Sequence, residues 1–104
     1  IGQVFTNIIR NAVQAIGNNA KGDIMVILKD DPNKDEVEIA ISDNGPGIPL
    51  DIQPKIFLPN FTTKSTGAGL GLAISKNIVE GSNGRLSFET SPNGTTFFIY
   101  LAKA

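Results

Sequence analysis

The run Val37-Glu38-Ile39-Ala40-Ile41-Ser42 alternates like a half-buried strand and then stops abruptly in Asp43-Asn44-Gly45-Pro46-Gly47-Ile48-Pro49. This junction restricts the possible folds more than any other stretch. A hairpin turn is followed at once by a returning strand, whereas here two prolines lead into a segment with helical character, so the chain must leave the sheet. Side chains two apart on a strand share a face, which puts Asp43 on the same side as Val37, Ile39 and Ile41. An ionised acid on an apolar face is costly unless something donates hydrogen bonds to it. Asp-Asn-Gly is also a favoured turn sequence, and an ordinary turn is the plain alternative.

The rest of the chain alternates between the two periodicities. Ile1, Val4, Phe5, Ile8, Ile9, Ala12 and Ile16 fall on one helical face, and Gly17-Asn18-Asn19 supplies a stop. Ile24 to Lys29 reads as a strand, joined through a polar turn with Pro32 to the strand ending at Asp43. Leu50 to Leu58 reads as a short helix disturbed by Pro54, and 59–66 as a loop without periodicity. A second helix opens in Gly67-Ala68-Gly69-Leu70-Gly71 and runs to about Glu80, with Leu70, Leu72, Ala73, Ile74, Ile78 and Val79 as its apolar residues. Arg85 to Thr90 and Thr95 to Leu101 form a hairpin across Ser91-Pro92-Asn93-Gly94. The order helix, two strands, helix, two strands predicts antiparallel pairs covered on one face by helices, a two-layer α+β sandwich.

Composition excludes several classes. The chain has 104 residues, enough for one domain, with 40% hydrophobic and 18% charged residues, an ordinary globular balance. A net charge of −1 gives no general attraction to nucleic acid or anionic membrane, so an anion must be bound by local geometry. There is no cysteine, hence no thiolate chemistry or disulfide framework, and no histidine, the commonest metal ligand and near-neutral acid–base group. The first residues lie inside an amphipathic pattern with no capping residue, so the chain is expected to be a piece of a larger protein.

Three constellations could carry chemistry. Gln3, Asn7, Asn11 and Gln14 lie within an arc of about 80° on the first helix. Amide oxygens suit a hard cation such as Mg²⁺, which needs few protein ligands when water and phosphate supply the rest; the alternative is a merely polar face. Gly67, Gly69 and Gly71 precede a helix N-terminus, an anion site that phosphate can approach closely, with Lys64 just upstream to add a full charge. A flexible loop with helix-start glycines is the other reading. Leu72 stands where a dinucleotide fingerprint needs its third glycine, and no Gly-Lys-Ser/Thr is present. Asp43 could accept from an exocyclic amine such as adenine's, where guanine presents a carbonyl. Phe57 and Phe61 are either core or anchors of the loop beside the base.

Together, Asn7-x-x-x-Asn11-Ala12, Asp43-x-Gly45-x-Gly47, Phe57 with Phe61, and Gly67-x-Gly69-x-Gly71 closely resemble, in that order, the asparagine, first-glycine, phenylalanine and second-glycine boxes of sensor histidine kinases. These kinases share a superfamily with gyrase, heat-shock chaperone and mismatch-repair ATPases, and the resemblance runs to the closing Gly94-Thr95-Thr96-Phe97. It implies the left-handed ATP-binding α/β sandwich known as the Bergerat fold, with a mixed, mostly antiparallel sheet and about three helices on one face. It implies ATP and Mg²⁺ as ligands. Asn11 would coordinate the metal, with Asn7 close to the phosphates. Asp43 would contact the adenine amine, Gly45 and Gly47 would shape the base pocket, and Thr95 would complete the adenine end. Gly67, Gly69 and Gly71 would hold the phosphates together with a short lid, Pro59 to Ala68. The nucleotide site is expected to include Ala15, Ile48, Phe57, Phe61, Thr62, Thr63, Lys64, Ala68, Leu70 and Leu72 as well.

Where many members carry Lys or Arg three residues after the magnesium asparagine, this chain has Gln14, and Lys64 is the candidate for the missing charge. A further departure is Gly81-Ser82-Asn83-Gly84, where histidine is frequent. The hydrolysing branches place a glutamate where Asn7 stands, and an amide cannot act as a base, so little ATPase activity is expected. The resemblance implies a catalytic and ATP-binding domain over 1–104 that donates the γ-phosphate to a histidine on a separate dimerisation domain, in its own chain or its partner subunit. A response-regulator receiver domain would then accept it. The domain is expected to be cytoplasmic whether or not its parent is membrane-anchored, without nucleic-acid or membrane contact, and monomeric within a dimeric parent. A regulatory or anti-sigma type serine kinase of the same superfamily is the alternative.

Overall fold

The computed structural model describes residues 2–17, 21–58 and 68–103, with the backbone alone at 68–71. Helix α1 spans Gly2–Ile16, strands β1 and β2 span Ile24–Asp30 and Glu36–Asp43, and a single 3₁₀ turn covers Gln53–Lys55. Helix α2 spans Ala68–Gly81, and β3 (Arg85–Ser91) and β4 (Gly94–Ala102) close the chain. The four strands form one sheet in the order β1-β2-β4-β3 with every pairing antiparallel. The α+β sandwich is as expected, with two corrections. The sheet contains no parallel pair among the described residues, and these carry two α-helices and not three. Pro54 lacks an N–H and clashes with a preceding helical turn, which limits the expected helix over Leu50 to Leu58 to one 3₁₀ turn.

Sequence period explains which face is buried. Ile39 and Ile41 on β2 lie opposite Ile99 and Phe97 on β4, all four buried. Val4 and Ile8 of α1 and Leu72 and Val79 of α2 close this core from one side. Fully burying each aliphatic side chain contributes roughly 1.5–3 kcal/mol. Ile74, grouped by sequence with the apolar residues of α2, is 45% exposed, and Ser75 takes the buried position beside it at 0%. Spacing accounts for this: Leu72, Ser75 and Val79 are three and four apart and share the inward face.

Among the described residues no helix packs against the opposite sheet face. There Phe98 stacks on Tyr100 with centroids 6.4 Å apart, and the Arg85 guanidinium lies 4.3 Å from the Tyr100 ring centre. Burial and a hydrogen bond to Glu38 raise the Tyr100 pKa. Strand β1 is an edge, with Met25, Val26, Ile27 and Leu28 exposed. No helix among the described residues is long and apolar enough to cross a membrane.

Candidate functional site

The site is built where the Asp43 end of β2 leaves the sheet. The Gly45 N–H donates to Asp43 Oδ1 at 2.9 Å, so the acid closes its own turn. Asn44 ties that turn to the chain entering β1, accepting from Asp23 N at 2.7 Å and donating to Lys21 O at 2.8 Å. Beyond it the backbone runs between α1 and the β3–β4 hairpin with no room for a side chain at Gly45 or Gly47. A Cβ on Gly45 would lie 2.9 Å from the Ala15 carbonyl oxygen. A Cβ on Gly47 would lie 2.0 Å from the Ser91 carbonyl oxygen, and the φ of +84° at Gly47 is one that side-chain-bearing residues rarely adopt. These glycines therefore set the distance between three elements.

Between those elements lies a cavity of about 680 Å³. Asn11, Gln14 and Ala15 of α1 form one wall, Pro46 to Leu50 with Ile52 and Gln53 the facing one, and Thr90, Ser91 and Pro92 the hairpin side. Its volume suits a small organic ligand, and its mixture of apolar surface with three amide and two hydroxyl residues can orient one.

Of the residues expected in a nucleotide site, Asn11, Ala15, Gly47 and Ile48 line this cavity. Asp43 and Thr95 face each other in the β2–β4 register and are not part of the cavity lining. Thr95 is buried, its hydroxyl 2.8 Å from that of Thr90. Asn7, one turn before Asn11, points toward α2, where its Nδ2 donates to the buried Ser75 Oγ at 3.4 Å. Phe57 packs edge-on against Phe88 and Phe97, at 5.8 and 6.5 Å, with Lys76 Nζ 4.8 Å from its ring centre. It and the core residue Leu72 do not line the cavity. Phe61, Thr62, Thr63, Lys64 and Gly67, with the rest of the lid up to residue 67, lie outside the described residues, as do the side chains of Ala68 and Leu70; Gly69 and Gly71 fall in the opening backbone of α2.

Sequence reading did not single out Thr90 or Gln53. Thr90 did carry a signal: it follows Leu86 and Phe88 on an apolar face, as Asp43 follows Ile39 and Ile41. Gln53 carried none. Gln14, read as a departure from the expected cation, lines the cavity beside Asn11.

Comparison with known proteins identifies the family and the fold. The family model described as "Histidine kinase-, DNA gyrase B-, and HSP90-like ATPase" matches residues 1–104. The C4-dicarboxylate transport sensor protein DctB of Rhizobium meliloti is 42% identical over 102 residues, which cover 98% of this chain and 16% of that protein. The chain thus spans only a small part of this curated relative. A nucleotide-free crystal form of the catalytic domain of histidine kinase ThkA is 37% identical with a TM-score of 0.84, covering 97% of this chain and 64% of that one. ThkA in complex with the response regulator protein TrrA is similar at 34% identity and a TM-score of 0.77, over 98% of this chain and 28% of that one. The chain therefore belongs to the family of histidine kinase-, DNA gyrase B- and HSP90-like ATPases, and the relatives named above, matched over nearly its whole length, are a sensor protein and a histidine kinase.

Proposed function

We propose that this chain binds Mg-ATP in the cavity between α1 and the glycine turn and presents the γ-phosphate to a histidine outside it. A response regulator would receive the phosphoryl group in turn. The observation that carries this reading is the convergence of Asn11 and Ala15 with Gly47 and Ile48 around one cavity, backed by the paired Asp43 and Thr95. The acceptor must come from elsewhere, because the sequence has no histidine.

The residues present fit both ligands. The cavity volume lies in the range of small-molecule sites. Among the described residues no group of His, Cys, Asp or Glu could hold a metal by itself, whereas the Asn11 amide suits Mg²⁺, which takes one or two protein oxygens. Held by Asn11, the ion would supply charge neutralisation to the phosphates. The chain's own work is positioning and selection. Asp43 lies outside the cavity lining, so the base must extend beyond that lining to reach it; the acceptor sites that the Gly45 bond leaves on its carboxylate would there favour an adenine amine over a guanine carbonyl. Asn7, an amide turned toward Ser75, gives no base to activate water, so the nucleotide waits for its acceptor with little hydrolysis.

Calorimetric titration of ATP and GTP, with and without Mg²⁺, tests this reading. ATP is expected to bind with magnesium dependence and GTP at least tenfold more weakly. Asp43→Ala is expected to remove ATP binding while thermal unfolding stays cooperative. ATP affinity in Asp43→Ala equal to that of the parent chain would dispose of the assignment.

A further inference from the structure

The backbone of Ile48 is gripped on both sides by side chains from other elements. Its N–H donates to Thr90 Oγ1 at 2.9 Å, from a strand 42 residues further along the chain. Its carbonyl accepts from Gln53 Nε2 at 2.9 Å. The Thr90 hydroxyl is saturated by its surroundings: besides Ile48 N–H it contacts Thr95 Oγ1 at 2.8 Å and the Gly94 carbonyl at 3.4 Å, and a hydroxyl offers two lone pairs and one proton. Thr90 Oγ1 also abuts Gly47, where it would lie 3.1 Å from an added Cβ.

The turn needs outside support. Pro46 and Pro49 flank Gly47 and Ile48, and neither has an N–H to contribute. Gly47 adds its own freedom at positive φ. Thr90, Gln53 and Ile48 all line the same cavity. We propose that Thr90 and Gln53 are positioning residues that fix the Ile48 backbone, and through it the wall against which a purine nucleoside triphosphate is bound. Thr90 also joins that wall to Thr95, which pairs with Asp43, so one hydroxyl aligns the two sides of the base pocket. The inference rests on the nucleotide reading given above.

Two measurements on the chain test it. In the nucleotide-free state, Thr90→Val keeps the side-chain shape but removes the acceptor, and the Ile48 amide is expected to exchange with solvent at least tenfold faster. Thr90→Ser is expected to retain the parental rate. In ATP titrations, Thr90→Val and Gln53→Leu are each expected to weaken binding by about tenfold, the effect of 1.4 kcal/mol, with Thr90→Ser near the parent. Because either loss frees the same backbone, the double variant should lose much less than the product of the two single losses. Parental amide exchange in Thr90→Val overturns the inference, as does a fully multiplicative double variant, the pattern of two independent ligand contacts. Parental ATP affinity in Thr90→Val with binding lost in Asp43→Ala overturns it alone; parental affinity in Asp43→Ala overturns the nucleotide reading beneath it.

Discussion

The two ends of strand β2 are secured by different physics. At the Glu36 end the partners are charged and at least partly solvated: Arg85 with Glu36 at 2.6 Å, Lys103 with Asp30 at 2.7 Å, and Lys29 with Glu38 at 3.6 Å. At the Asp43 end they are backbone groups and hydroxyls, with Gly45 on Asp43, Ile48 on Thr90 and Thr90 on Thr95. Exposed ion pairs contribute about 0–1 kcal/mol and tolerate shifting partners. A part-buried N–H that loses its acceptor costs about 1–3 kcal/mol and tolerates little. Positional precision is concentrated at one end of the sheet, and that end opens into the cavity.

Substitutions at the two ends should therefore differ in kind. The largest effect is expected at Gly47→Ala, where positive φ and the Ser91 carbonyl both oppose a side chain; thermal unfolding should report a loss of about 3 kcal/mol. Gly45→Ala must push against the Ala15 carbonyl of α1 and should cost about 1–2 kcal/mol by the same measurement. At the other end, Glu36→Gln is expected to change stability by less than about 0.5 kcal/mol, since the pair is solvated and Arg85 keeps its contact with Tyr100. A loss at Glu36→Gln as large as that at Gly45→Ala would erase the contrast. The smallest effect belongs to Tyr100, whose folded pKa is raised by burial and by Glu38. Its contribution is intact below about pH 10, where a free tyrosine begins to ionise, and is lost as pH rises through the higher folded value. Tyr100→Phe should flatten the alkaline decline in stability measured by denaturant titration.

Much of the architecture was legible in the sequence because period and burial agree in it. The α1 pattern predicted from Ile1 to Ile16 is observed over Gly2–Ile16, and the strands predicted to end at Lys29, Thr90 and Leu101 each run one residue further. Prediction failed where local and long-range signals diverge. Leu50 to Leu58 holds enough apolar residues for a helix, but Pro54 permits only a single turn. The mixed sheet implied by resemblance gave way to antiparallel pairing throughout the described strands. In the site, Asn11 and Gly47 could be marked from motif spacing, because each sits in a short signature, and Ala15 and Ile48 followed from the resemblance those signatures carry. Thr90 and Gln53 could not, since their roles depend on which backbone group the fold delivers to them. Phe57, open between core and anchor in the sequence, is packed among Phe88 and Phe97.

The bond from Ile48 to Thr90 has a consequence for how the chain matures. Synthesis delivers α1, the first two strands and the glycine turn well before the residues that brace them, and the closing hairpin arrives last. Because contacts so far apart in sequence form late, a nascent chain can acquire helices and a partial sheet while its cavity still lacks a wall. Competence to engage a ligand should then appear in one late step, when the final strand inserts between its neighbours.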